Sequence, residues 1–319
     1  MTPRCRRIAA MDNLCHTLAG AALGEAGLKQ RTALGLGTLL IASNLPDIDV
    51  AVFATDTLAM SFRRGWTHGV LAMAVLPAVL AGVMLAWDRA RSRRANARGL
   101  LLLAYLGTWL HVFMDFLNTY GVRLLMPFSE RWFYGDALYI IDPLLYLFLA
   151  GAVVAARVAA RRGTFRPARF AQIGVALAAG YVVVMLASNL WARSEVRRGV
   201  TRAGRPPETR FMVTPILGNP LRREVIVDTG DRYEKGLLWF EPWPHFRPLG
   251  YGVDINESAP EAQWASRVPR AAAYLAWSRF PFFVIERGAD RTRVYLNDYR
   301  YSGPSGRDGW SAMVVEVEE

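Results

Sequence analysis

Up to about Ala192 the chain alternates long uncharged apolar runs with short basic or aromatic connections; from Arg193 onward it changes to short alternating stretches. The runs 66–87, 100–120, 137–160 and 170–192 each approach or exceed the roughly 20 residues that an α-helix needs to cross a bilayer. The run at 66–87 carries a tryptophan at each end, where interfacial aromatics belong. The segment 32–45 is apolar but short, and reads as a tilted or shielded span. Residues 14–28, rich in small side chains but holding Glu25, predict a short membrane-entering or interfacial helix. An amphipathic, aromatic loop at 121–136 carries Arg123, Glu130, Arg131 and Asp136, and 137–160 is entered through Asp142-Pro143.

Beyond Arg193, residues 222–228, 237–240, 282–287, 291–298 and 311–318 alternate as strands, and 259–279 is helical on either side of Pro269. His245 falls in a Pro/Trp-rich stretch, 241–248, and reads as a surface-loop histidine. The predicted architecture is an α-helical multi-span membrane domain, 11–192, followed by a small α+β soluble domain, 193–319.

Composition agrees with the membrane reading. Of 319 residues, 53% are hydrophobic, and mean hydropathy is positive. The net charge of +11 is almost all arginine, Lys29 and Lys235 being the only lysines. The arginines cluster between apolar runs, at 89–98 and 157–169, where the positive-inside rule places cytoplasmic loops. That pattern accounts for the charge without nucleic acid. It also sets the N-terminus, with Arg4, Arg6 and Arg7, in the cytoplasm, and 193–319 outside it. No apolar core directly follows the basic start, so an uncleaved chain is expected, with residues 1–10 dispensable and Met11 an alternative start. The two cysteines, Cys5 and Cys15, form no disulfide framework and no CxxC pair. No nucleotide-binding or serine-hydrolase motif and no internal repeat occurs.

Three of the four histidines, His16, His68 and His111, lie in or beside apolar runs that also hold Asp47, Asp49 and Asp115. A single histidine on an apolar face is usually a hydrogen-bonded core residue, and Pro46-Asp47 alone reads as a solvated turn. Together the six form a familiar ligand set: imidazole and carboxylate suit zinc, manganese or iron. His111 and Asp115 stand i, i+4 on one helix face. The topology set by the arginines brings Asp47, Asp49, His68, His111 and Asp115 to the outer membrane face. Ionisable groups at membrane depth are functional candidates. The expected cofactor is a divalent metal, zinc first, with manganese or iron as alternatives, and the chemistry is metal-assisted hydrolysis. Arg123 or Arg131 would hold an anionic group, and Asp49 would bridge ions or act as general base. Substrates at that depth would be lipid head groups or lipid-linked phosphates. Two other classes fit the residues: an ion transporter and a regulator-binding scaffold. Transporter sites usually lie near the midplane between repeats.

The stretches Met11-Asp12-Asn13-Leu14-Cys15-His16-Thr17-Leu18-Ala19-Gly20, NLPDID at 44–49, RRGWTHG at 63–69, HVFMDFLNTYGVRLLMPFSERWFYGD at 111–136 and IIDP at 140–143 occur in the order of the YdjM family, which the chain resembles over roughly 11–192. That family is described as LexA-binding, inner-membrane-associated, metal-dependent hydrolases. The resemblance implies a multi-pass bacterial inner-membrane protein with metal ligands at His16, Asp47, Asp49, His68, His111 and Asp115. It also draws Asp136 and Asp142 into the site region, making Asp49, Asp136 and Arg123 the catalytic candidates. Regulator binding is implied by the family label alone. Arg63 stands where some members carry a histidine.

Overall fold

The computed structural model describes residues 3–55, 57–91, 94–303, 305–306 and 311–317, without side chains for 3–12, 60 and 61. The expectation that residues 1–10, with Cys5, are dispensable therefore rests on side chains outside the described residues. Two compact units divide the chain, Met1–Thr55 with Phe62–Leu186, and Asp56–Ser61 with Ala187–Glu319.

The first unit is helical. In order come α1 (Pro3–Glu25), a 3-10 turn (Leu28–Arg31), α2 (Gly35–Ala42), a 3-10 segment (Leu45–Ala54), α3 (Ala59–Phe62, across the unit boundary), α4 (Val70–Arg89), α5 (Ala97–Phe116), α6 (Pro143–Arg161) and α7 (Ala168–Arg202, whose residues from Ala187 on belong to the second unit). Among the described residues, α4, α5, α6 and α7 are long and apolar enough to cross a membrane. Their large side chains, such as Val79, Val83, Leu102, Leu147, Val154 and Ile173, face outward, while Ala81, Ala104, Ala152 and Ala156 are buried. Small residues inside and large ones outside are what close helix packing in lipid requires.

The apolar segment at 32–45 is a broken element, either a bent span or a re-entrant loop. Its helix is only 8 residues, about 12 Å at 1.5 Å per residue, and it bends by 49° into the 3-10 segment Leu45–Ala54. Pro46 has no N–H and would clash with the preceding turn of a continuing helix, so the chain breaks at Asn44 (φ −124°). Asn44 then satisfies the break with its side chain, donating to the Leu40 carbonyl at 2.9 Å and pairing with Thr17 of α1 at 3.0 Å. Of residues 14–28, expected as a short membrane-entering or interfacial helix, 14–25 form the end of the 23-residue α1, and Leu28 begins the 3-10 turn.

Proline also shapes α4. Pro77 cannot bond the Met73 carbonyl; Trp109 of α5 donates to that oxygen at 3.1 Å, and Tyr105 to the Ala74 oxygen at 2.6 Å. On the other face of α5, a Cβ at Gly107 would lie 2.6 Å from Ala42 Cβ and 3.1 Å from Ser43 N. Only glycine lets α5 approach the end of α2 so closely. One end of the bundle gathers Glu25 paired with Lys29 and Arg157, and the Thr32–Asn96 contact beside the arginine-rich 89–98 connection. The opposite end holds 44–54, 62–69 and 117–142.

The second unit combines two antiparallel sheets with two short helices. β1 (Phe211–Ile216), β2 (Asn219–Asp228), β3 (Arg232–Phe240) and β4 (Pro244–Asp254) form a meander, and β5 (Pro281–Arg287), β6 (Thr292–Asp298) and β7 (Met313–Val317) form the second sheet. Met212, Ile226 and Tyr233 pack with Phe280, Phe282 and Tyr299. Val213, Val225 and Leu238, on the other face of the meander, cover Ala192, Val196 and Val200 from the end of α7. The helices α8 (Pro260–Ser266) and α9 (Pro269–Trp277) each begin at a proline, which suits a first turn whose N–H groups lack partners. β1 and β4 were not expected; β4 includes His245, which is exposed on a strand rather than in a loop.

Candidate metal centre

Four groups come together at the loop-rich end of the bundle. One ligand atom each from Asp47, His68, His111 and Asp115 lies within 4.8 Å of the others, and all four residues are buried. Asp47 comes from the 3-10 segment after the break, which turns its carboxylate towards α5 instead of continuing along α2. His68 lies two residues before α4, not on it. His111 and Asp115 are the i, i+4 pair of α5.

The hydrogen bonds fix which atoms face the centre. His111 Nδ1 lies 2.7 Å from the Ser43 carbonyl oxygen. A carbonyl only accepts, so Nδ1 carries the proton and Nε2 of the neutral ring presents its lone pair. That Nε2 faces His68 Nε2 at 3.3 Å, while His68 Nδ1 is engaged by Thr67 Oγ1 at 3.0 Å. Thr67 Oγ1 in turn lies 3.3 Å from Asp49 Oδ2. Asp115 Oδ2 completes a triangle, 3.1 Å from His68 Nε2 and 3.6 Å from His111 Nε2. Donors 2.0–2.2 Å from one tetrahedral ion stand about 3.3–3.6 Å apart, which the three edges bracket closely. Asp47 Oδ1 is 4.0 Å from His111 Nε2, and Asp47 Oδ2 is buried with no hydrogen-bond partner. Buried polar atoms are nearly always satisfied, so two facing imidazole nitrogens and an unpartnered carboxylate oxygen fit a bound cation.

The other expected residues are placed differently. His16 stacks on His111 with ring centroids 3.8 Å apart and reaches the outer oxygen of Asp115 at 3.3 Å, so it braces the group of four from α1. Asp49 is not among the four. Its oxygens accept from Arg63 Nε at 3.2 Å and the Arg64 backbone N–H at 2.8 Å, as well as facing Thr67. Arg123 is set against Gly65, where a Cβ would meet its guanidinium at 2.4 Å, and donates to the Phe62 carbonyl at 3.1 Å. It supports the 62–69 loop. Asp136 is fully buried with φ +52° but does not enter the cluster. Asp142 caps α6, accepting from the Leu144 and Leu145 N–H groups at 3.1 Å each, and takes the Tyr181 hydroxyl at 2.8 Å. Cys15 is buried and does not enter the cluster.

Two arginines were missed as site residues. Arg64 Nη2 pairs with Asp115 Oδ1 at 2.8 Å, buried on both sides, while its Nη1 donates to Asn118 Oδ1 at 2.9 Å. Its left-handed backbone (φ +54°) turns the chain there. Arg63 spans Asp47 (2.7 Å) and Asp49 (3.2 Å). The signal was the Arg63-Arg64 pair four and five residues before His68: two cations close to a candidate ligand.

A model of the family described as "YdjM inner membrane protein" matches residues 11–192. A curated relative, the uncharacterized protein YfhP of Bacillus subtilis (strain 168), is 26% identical over 153 residues, 45% of this chain and 45% of that protein. The chain thus spans less than half the length of the relative it matches. No solved structure matches. All four converging groups and, apart from the end of α7, the helices long and apolar enough to cross a membrane lie inside the matched segment, and the chain belongs to the YdjM inner membrane protein family.

Proposed function

We propose that this protein is a membrane-bound, metal-dependent hydrolase with its site at the outer face of the bacterial inner membrane, acting on a phosphoester or ester of a lipid-associated substrate. The observation that carries the reading is the pair of imidazole nitrogens 3.3 Å apart beside the Asp115 carboxylate. His68, His111, Asp115 and Asp47 would hold the ion, zinc first, with manganese or iron as alternatives. A divalent ion there would polarise a phosphoryl or acyl oxygen and acidify water. The chain's own groups prepare the place. The Ser43 carbonyl holds the proton of His111 on Nδ1, Thr67 and Asp49 orient His68, and Arg64 with His16 fixes Asp115. Such outer partners tune ligand basicity and orientation. Asp49 therefore acts through His68 rather than as the base. Arg63, at the edge of the cluster, is the cation placed to meet an anionic substrate group.

The orientation follows from the two ends of the bundle. The arginine-rich connections lie opposite the cluster, which under the positive-inside rule supports an outer location for the cluster; an outward-running α7 would leave 193–319 outside the cytoplasm as well. A reporter active only outside the cytoplasm, fused after Glu319, is expected to be active; activity only of a cytoplasmic reporter would reverse the topology.

For the chemistry, detergent-purified protein loaded with zinc, then manganese or iron, is screened against aryl phosphoesters and carboxylesters. Turnover that a chelator abolishes is the expected result. The 49° break beside Asp47 favours one second reading, a metal-ion transporter, because broken helices line transport sites. Metal uptake by proteoliposomes with no hydrolysis of either ester class would select it. A role as a regulator-binding scaffold predicts neither.

A further inference from the structure

The clamp formed by Arg63 limits how many ions the centre takes. Asp47 and Asp49 are one residue apart on the 3-10 segment, as two carboxylates bridging a pair of ions would be. Here a guanidinium occupies the position between them. Arg63 Nη2 donates to Asp47 Oδ1 at 2.7 Å and Nε to Asp49 Oδ1 at 3.2 Å, and the arginine side chain is 11% exposed against 2% and 0% for the two carboxylates. The guanidinium therefore covers them from the outer side. Asp49 has its other oxygen taken by the Arg64 N–H and Thr67, so both of its oxygens are already engaged by donors.

Charge balance points the same way. Within the bonded cluster, Asp47, Asp49 and Asp115 face Arg63 and Arg64, which leaves one net negative charge with the histidines neutral. One divalent ion turns this to a single positive charge. A second would raise it to three in a buried site, where uncompensated charge is strongly disfavoured. We infer that the centre takes a single divalent ion, with the Arg63 guanidinium standing as a fixed second cation on Asp47 and Asp49. The inference rests on the metal site of the proposed function and specifies it.

The test is metal stoichiometry on the full chain in detergent, by elemental analysis after equilibration with zinc and removal of the excess. Wild type is expected to hold one ion per chain. Arg63→His removes the fixed charge and supplies a ligand nitrogen, and is expected to hold two. Arg63→Lys keeps the charge and is expected to hold one, with folding of each variant checked by circular dichroism. Two ions in wild type, or one in a folded Arg63→His, would overturn the inference while leaving the metal site intact. Should Arg63→His not fold, two ions in Arg63→Lys or in wild type would still overturn it, and one in both would support it. A wild type that holds none would fail the proposed function itself.

Discussion

Each unit of this protein buries an aspartate against an arginine, and the two pairs differ in one respect. In the second unit, Asp298 and Arg300 are both fully buried at 2.7 Å. Every oxygen of Asp298 is used: it accepts from the Arg300 backbone and side chain, the Ser278 hydroxyl and the Arg279 N–H, all within 3.0 Å. In the helical unit, Asp115 pairs with Arg64 at 2.8 Å on one oxygen and turns the other towards two histidine nitrogens. Those nitrogens face each other at 3.3 Å, and Asp47 leaves an oxygen unpartnered nearby. A saturated buried ion pair is a structural element; one whose neighbours turn ligand atoms towards a common point can hold a cation. Burial and charge alone do not separate the two cases, but the accounting of donors and acceptors does.

The largest effect that would break this distinction is in the second unit. Asp298→Ala strands the buried Arg300 guanidinium and is expected to destabilise that unit by about 3–5 kcal/mol with no loss of bound metal. Thermal melting and elemental analysis of the same preparation check both halves; lost metal would contradict the separation. The pH dependence follows with its sign. Burial alone would raise the Asp298 carboxyl, but Arg300 and the hydrogen bonds hold it below the ordinary value. Its stabilisation is therefore complete above the unfolded value of about 3.9 and is lost as pH falls through the lower folded value. Acid titration of the near-ultraviolet circular dichroism should show a step below about pH 4 that Asp298→Asn lacks.

A smaller effect sharpens the other side. Asp49 is expected to act through Thr67 and His68, not as a ligand. Asp49→Asn should weaken zinc affinity about 10–100-fold, the range for an outer partner of a ligand, while leaving the stoichiometry unchanged. Competition with a chromophoric chelator measures it. Complete loss of binding would return Asp49 to the ligand set.

Much of this was legible in the sequence, for physical reasons. α4 to α6 are continuous apolar runs, and a helix in lipid has few alternatives. His111 and Asp115 declared themselves by spacing on one such helix. The break at Asn44 was hidden inside an apolar run, since Pro46 reads as the end of a span as readily as a bend in one. β1 shows no alternation because both its faces are covered, by the end of α7 on one side and the second sheet on the other. β4 is an edge strand and tolerates Pro244, Pro248, Gly250 and Gly252, which would argue against a central strand. The last ten residues of α7, from Arg193 to Arg202, are charged and read as the start of a polar domain. Arg63 and Arg64 were absorbed into the loop because an arginine pair near a span looks like a topology signal, and only the contacts reveal that both guanidiniums sit on carboxylates of the cluster.

The cation site is tested most directly by elemental analysis of wild type, His111→Ala and Asp115→Ala, purified identically without chelator and equilibrated with zinc or manganese. Bound metal in wild type and its loss from both variants, with membrane insertion intact, is the expected result. A wild type that takes up no metal, or variants that melt earlier but keep their full complement, would make the histidines and Asp115 a hydrogen-bonded core and nothing more.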